Sequence, residues 1–209
     1  MKRILLTIMV VVAGLSAIAP DMSAQTYNSN TGASRRQKLI DDWHKDMAEF
    51  RARSERDRQL EALADSIASV QARAALRNQD FVLEADNISF RTGPTRFVNS
   101  STNFISVKGN RAVVQISPSD FASGPNGVGG VTVDGIISGQ EIKVDKKGTT
   151  IFSMNVMGIG INAQVEIYMY PGSNTATATV YPNFNSNTVW LQGNIVPYEN
   201  SNVIQGSSL

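Results

Sequence analysis

Residues 159–170, IGINAQVEIYMY, alternate without a break. Ile159, Ile161, Ala163, Val165, Ile167 and Met169 fall on one side, and Gly160, Asn162, Gln164, Glu166, Tyr168 and Tyr170 on the other. An apolar/polar period of two is the pattern of a strand with one buried face. The same period recurs outward in both directions. Downstream, after a turn at 171–174, Ala176, Ala178 and Val180 face away from three threonines, and Val189, Leu191 and Ile195 face away from Trp190, Gln192 and Asn194. Upstream, Phe152, Met154 and Val156 share a face, as do Ile142 with Val144, and Ala112 with Val114 and Ile116. A short strand is expected at 103–107. In 81–90, Phe81, Leu83 and Ala85 have one parity and Ile88 and Phe90 the other, which a bulge at Asp86-Asn87 reconciles.

Turns at 91–95, 108–110 and 145–148 separate these runs. No helical pattern lies between them, so parallel crossovers are not expected. The reading is an all-β domain over 79–197: an antiparallel meander closed into a barrel or folded into a two-sheet sandwich. Its small inward residues, Ala112, Ala163, Ala176 and Ala178, suit either a filled, tapering interior or a modest cavity.

Six of the sixteen glycines lie in 121–139, FASGPNGVGGVTVDGIISG. The run matches neither G-x-G-x-x-G nor G-x-x-x-x-G-K-[ST], and it leads into a strand rather than a helix N-terminus, so it is not a phosphate loop. It reads as a bulged loop where two strands approach closely.

Ahead of the strands, Lys2 and Arg3, an apolar run from Ile4 to Leu15 and Met22-Ser23-Ala24 make a secretory signal peptide over 1–24. Residues 25–34 read as a disordered leader and 198–209 as a disordered tail. From Ser34, which with Gln37 forms a capping box, residues 35–78 have no Gly or Pro and read as a charged amphipathic helix that Asn78 leaves in the left-handed conformation. Ile40, Trp43, Met47 and Phe50 form one stripe; Leu60, Leu63, Ile67, Val70 and Ala74 form a second, out of register with the first. Either the helix breaks near 52–58, or one long helix turns its apolar face from one partner to another. The helix is a partner-binding arm or a cover for the chain's own sheet.

Cysteine is absent, so an exported form has no disulfide and stands on its core. Without Lys2, Arg3 and Asp21 the 19 basic and 18 acidic residues become 17 of each. That balance gives no basic excess for nucleic acid. No transmembrane span is expected after signal cleavage.

Catalytic chemistry is thinly provided. His44 is the only histidine and sits on the charged helix, so neither a metal site nor a Ser–His relay can be completed with it. Glu84, Asp86, Asp120, Asp134 and Glu166 fall in turns or on polar strand faces, where solvent-facing charge is the ordinary role. No catalytic, metal or cofactor site is assigned. Two recognition features remain. Met154, Val156, Ile161 and Val165 are the candidate lining for a small apolar ligand within the barrel. Tyr168, Tyr170, Tyr181 and Trp190, outward on consecutive strands, are a candidate recognition stripe that stacks on sugar rings or covers a partner, unless the helix lies over it.

The strings NQDFVLEAD, NFISVKGNRAVVQI, GPNGVGGVTVDG, FSMNVMGIGINAQVEI and NFNSNTVWLQGNIVP resemble, in that order, a family of small exported Bacteroidetes proteins known only as domain of unknown function 4251. The resemblance covers about 78–197 and implies an all-β domain with a periplasmic or outer-envelope location; it assigns no activity. Lipocalin-like architecture is suggested too, although the early Gly-x-Trp of lipocalins is missing. The expected function is a non-enzymatic binding module for a small apolar or amphiphilic ligand. The alternative is a structural or protein-interaction component of the cell envelope that uses the helix or the aromatic stripe.

Overall fold

The computed structural model describes residues 29–91, 93–117, 130–159, 162–183 and 188–207. The expected signal peptide, most of the glycine-rich loop and Ile161 lie outside them. The chain divides into two units, Met1–Arg53 and Ser54–Leu209. Helix α1, Ser29–Asn78, is continuous, so the break considered near 52–58 does not occur. It also begins before Ser34, and residues 29–34 of the expected leader are helical. In the first unit it carries Leu39, Ile40, Trp43 and Phe50, all exposed.

The second unit holds the end of α1 and nine strands: β1 Asp80–Phe90, β2 Arg96–Phe97, β3 Phe104–Lys108, β4 Arg111–Ile116, β5 Val131–Val144, β6 Thr150–Gly158, β7 Asn162–Met169, β8 Thr175–Pro182 and β9 Val189–Pro197. Every pairing is antiparallel. From β3 to β9 each strand pairs with the next, and β1 pairs with both β3 and β9. Eight strands therefore close into a barrel, and β2 adds a two-residue ladder outside β1 at Asn87 and Ile88. Closure decides between the two expected architectures. A closed barrel leaves no long sheet edge to pair with another chain.

The alternation read in the sequence sets the inner face. Phe81, Leu83, Ala85, Ile88, Ile105, Val107, Ala112, Val114, Phe152, Met154, Val165, Ile167, Leu191 and Ile195 form one buried apolar cluster. Phe81 meets Phe152 edge to face, with ring centroids 5.4 Å apart. The β1 register shifts between Ala85 and Asn87, at the expected bulge. Opposite it, Gly193 lets β9 pass close: a Cβ there would run into the Glu84 carbonyl and Ala85 Cα.

Several further expectations change. First, Ile142 and Val144 are exposed. They belong to β5, a single strand whose register shifts between Ser138 and Glu141. Pairing with β4 stops at Ile136, so these residues lie on an overhang bonded to β6 alone. Second, the left-handed residue at the helix end is Gln79, φ +55°, not Asn78; its carbonyl accepts from Gly109 N at 2.8 Å, tying the helix end to the β3–β4 turn.

Third, the part of the helix in this unit does not enter the core by its apolar stripe. Its buried positions are Ser69, Ala72, Ala75 and Leu76, and the last three join the barrel cluster. At about 3.6 residues per turn, this face lies opposite Leu60, Leu63, Ile67 and Val70. Those four stay between 59% and 65% exposed. Small residues win at the barrel because they let the helix backbone approach, and Leu76 alone supplies the plug. Ser69 is satisfied by Arg73, whose Nη2 donates to its Oγ at 2.7 Å.

The expected disordered tail is ordered over 198–207. After a 3-10 turn at Tyr198–Asn200, Ile204 N donates to Ser101 O at 2.8 Å, and Gly206 N donates to Gln115 Oε1 at the same distance. Its physical cause is a row of large apolar residues on the outside of the wall. Val82, Phe104 and Val113 form a second buried cluster against which Val196, Tyr198 and Val203 pack.

Two leucines of one helix separate these readings. Leu76→Ala is expected to cost about 2–4 kcal/mol, as core truncations do. Leu63→Ala should cost below about 0.5 kcal/mol. Urea denaturation of both variants measures the difference, and equal losses would contradict the assignment of the buried face.

Candidate recognition surface on the barrel wall

The interior is packed with side chains. Met154, Val156 and Val165, three of the four candidate lining residues, are fully buried within the apolar cluster. Met154 pairs across the ladder with Val165, and Val156 with Ala163. These positions build the core.

The four aromatic candidates lie on the outer wall, and registry brings three of them together. Asn155, Gln164 and Tyr181 stand side by side across β6, β7 and β8. The next row is Ser153, Glu166, Thr179 and Trp190, and the next Ile151, Tyr168, Thr177 and Gln192. Tyr181 and Trp190 therefore flank Thr179 on neighbouring strands, with Tyr168 one row beyond Glu166. Tyr170 follows the end of β7, its hydroxyl 3.4 Å from Thr177 Oγ1. Tyr181 and Tyr170 are 43% and 45% exposed, while Tyr168 and Trp190 are half-buried. Of the helix residues expected to cover them, Leu60 and Ile67, in the same unit as the barrel, are themselves exposed.

Glu166 is the one charged residue in these rows, and both its oxygens are engaged. Tyr168 Oη donates to Oε2 at 2.9 Å and Gln164 Nε2 to Oε1 at 3.2 Å. Holding the phenol's proton against a carboxylate raises the Tyr168 pKa above its ordinary value; burial adds to the shift, because both effects disfavour the phenolate. Beside Tyr181 the wall opens into a depression of about 380 Å³ lined by Asn155, Asn162, Ala163, Gln164, Tyr181, Pro182 and Asn183. Its rim is set by backbone geometry. Asn183 N donates to Asn162 O at 2.9 Å, and Asn162 N donates to the Asn183 side-chain carbonyl at 3.1 Å.

Three of the carboxylates considered for acid–base work have other neighbours. Asp134 pairs with Arg111 at 2.8 Å, Glu84 accepts from Ser201 Oγ, and Glu166 holds Tyr168. Asp120 lies outside the described residues. No group of three metal-binding side chains occurs among the described residues. His44 is exposed and meets Trp43 edge-on at 5.0 Å. Among the described residues no helix is long and apolar enough to cross a membrane.

Sequence reasoning missed Gln115, which is fully buried although it occupies an outward position. A clue was legible: Val82, Phe104 and Val113 place three large apolar residues outward on three strands that pair in turn. Such a patch calls for a cover.

In class, then, this is an eight-stranded up-and-down barrel, closed on itself and entered at one end by the last turns of a helix. The chain belongs to the family described as Domain of unknown function (DUF4251), whose model matches residues 65–195. The match starts inside α1, so the helix turns that enter the core fall within the family's domain. The chain is similar to a DUF4251 family protein from Bacteroides eggerthii DSM 20697 of known crystal structure: 46% identity, 68% of this chain and 95% of that one covered, TM-score 0.60. No curated protein matches it.

The Glu166 contact has a titration signature. In ultraviolet pH titration, the absorbance lost on Tyr168→Phe should have a midpoint above 10.0, and Glu166→Gln should bring it down. A raised folded-state pKa contributes stability fully present below the unfolded value, near pH 10, and lost as pH rises through the folded one. A Tyr168 midpoint at or below 10.0 would show that the pair does not form.

Proposed function

We propose that the protein is an exported, non-enzymatic recognition module whose binding face is the outer wall of β6–β9. Its ligand would be uncharged and polyhydroxylated, a glycan in chemical class. The observation that carries this reading is the composition of one continuous surface. Tyr168, Tyr181 and Trp190 alternate with Gln164, Thr177, Thr179, Gln192 and Asn155, beside an open depression of about 380 Å³. Aromatic faces suit the C–H faces of sugar rings, and amides and hydroxyls suit their hydroxyl groups. With Glu166 already engaged and no Lys or Arg in these rows, nothing there selects for an ionic ligand. A small apolar ligand inside the barrel remains the weaker form of the same idea, because it requires the packed Met154, Val156 and Val165 to separate. Export rests on the N-terminal pattern Lys2–Ala24 and the lack of cysteine.

A second reading has its own observation. Leu60, Leu63, Ile67 and Val70 form an exposed apolar stripe flanked by the uncharged Ala64, Ser66 and Gln71. A second copy of the helix meets no like-charge repulsion along those flanks, so self-association is the interaction this stripe fits.

Binding to a panel of immobilised neutral polysaccharides tests the first reading. Trp190→Ala and Tyr181→Ala are each expected to weaken binding at least tenfold, with Met154→Leu unchanged. Binding lost only with the core substitution would place the ligand inside the barrel. If no neutral glycan is retained and sedimentation shows a dimer that Leu63→Glu dissociates, the helix reading replaces the glycan reading.

A further inference from the structure

The wall opposite in character to the aromatic one lies over β1, β3 and β4. Outward positions of a barrel are normally polar, yet here Val82 and Phe104 are fully buried and Val113 nearly so. The tail covers them with Tyr198 and Val203, and Lys108 Nζ stands 4.5 Å over the Tyr198 ring. At the edge of this apolar floor is Gln115. Its Nε2 donates to Thr102 O at 3.0 Å and to Ile204 O at 2.8 Å. Its Oε1 accepts from Gly206 N at 2.8 Å and from Thr132 Oγ1 at 3.2 Å. Both amide protons and both carbonyl lone pairs are used, which a fully buried amide requires.

Two of those four bonds go to the main chain of the tail, at residues two apart. With Ile204 N donating to Ser101 O, three main-chain groups of the tail are held, while the Ile204 side chain is 59% exposed. The Gln115 amide thus does what an adjacent strand does, pairing with the carbonyl of one residue and the N–H of the residue two further on. Side-chain demands are few: an apolar residue at 203 to meet the floor, and an N–H at 206. Further out, Gln205 Nε2 reaches Asp134 at 3.2 Å and Ser201 Oγ donates to Glu84.

We infer that this wall is a peptide-binding site read through the backbone, occupied here by the chain's own residues 201–206 and open to the same segment of a second copy. What holds the segment is on the barrel strands and the β2–β3 connection at Ser101, and the segment follows the last strand. Exchange therefore breaks no ladder between strands, which lowers the cost of swapping the segment. In cis, the tail's effective concentration keeps the site filled. A site of this kind accepts an extended peptide with a valine-sized residue three positions before an unsubstituted amide. It has no use for a proline at that amide.

The test uses full-length protein and a fluorescent peptide of residues 199–207, ENSNVIQGS, standing for the tail of a second copy. Val203→Asp and Gly206→Pro unseat the resident tail by different means, one at the apolar floor and one at the Gln115 bond. Both variants should bind the peptide at least tenfold more tightly than the wild-type chain does. A peptide with proline in place of Gly206 should bind at least tenfold more weakly than ENSNVIQGS. A folded variant that does not take up the peptide, or that takes up the proline form equally well, overturns the inference. If neither variant folds, the wild-type chain decides. Millimolar peptide should speed hydrogen exchange at the Ile204 and Gly206 amides, and unchanged protection there overturns the proposal.

Discussion

The pairing of β1 with β9 is the constraint on which the rest of the structure depends. It joins the first and last strands of the meander from Phe81↔Pro197 to Phe90↔Val189, and it separates an inside from an outside. Strands that alternate apolar and polar residues can bury only one face. Closure assigns that face to a shared interior and leaves no long unpaired edge. The ladder tolerates one irregularity, the Ala85/Asn87 shift, and the strand opposite answers it with Gly193, whose missing side chain lets the two backbones close.

Filling the interior decides where recognition can happen. With Phe81, Phe152, Met154, Ile167 and Leu191 packed across the barrel and Leu76 entering from the helix, the inside is committed to stability. The outer walls are what the barrel presents, and these differ sharply. The β6–β9 wall carries aromatic rings among amides and hydroxyls, with its one carboxylate engaged by Tyr168 and Gln164. The β1–β3–β4 wall is apolar and is hidden beneath the tail. One barrel therefore presents two surfaces of opposite chemistry, one open and one shut by a segment of the same chain.

The parts of the fold legible in the sequence were those set by period alone. Alternation in 159–170 predicts Ala163, Val165, Ile167 and Met169 inward, and they are buried, whereas Ile159, of the same parity but ahead of β7, is exposed; the parity change in 81–90 predicts the β1 bulge. Pattern reading failed where burial depended on what stood opposite. Ile142 and Val144 keep the alternation, but their strand has run past the end of β4, so no wall faces them. The aromatic positions were legible as outward residues. Their adjacency was not, because it depends on the registers of three separate ladders.

The helix and the tail show the same division. By itself the sequence determined that 35–78 reads as helix, that 79–197 reads as strands and turns, and that two apolar stripes lie along the helix; these are local matters of propensity and period. The tertiary structure alone decided that the helix enters the core by Ser69, Ala72 and Leu76 rather than by Leu60, Leu63 and Ile67. It also decided that a polar, glycine-containing tail becomes ordered across the wall. The reason is that burial is a property of a pair of surfaces. A barrel end that admits only small residues, and an apolar outer patch that needs a cover, exist only once distant strands have met.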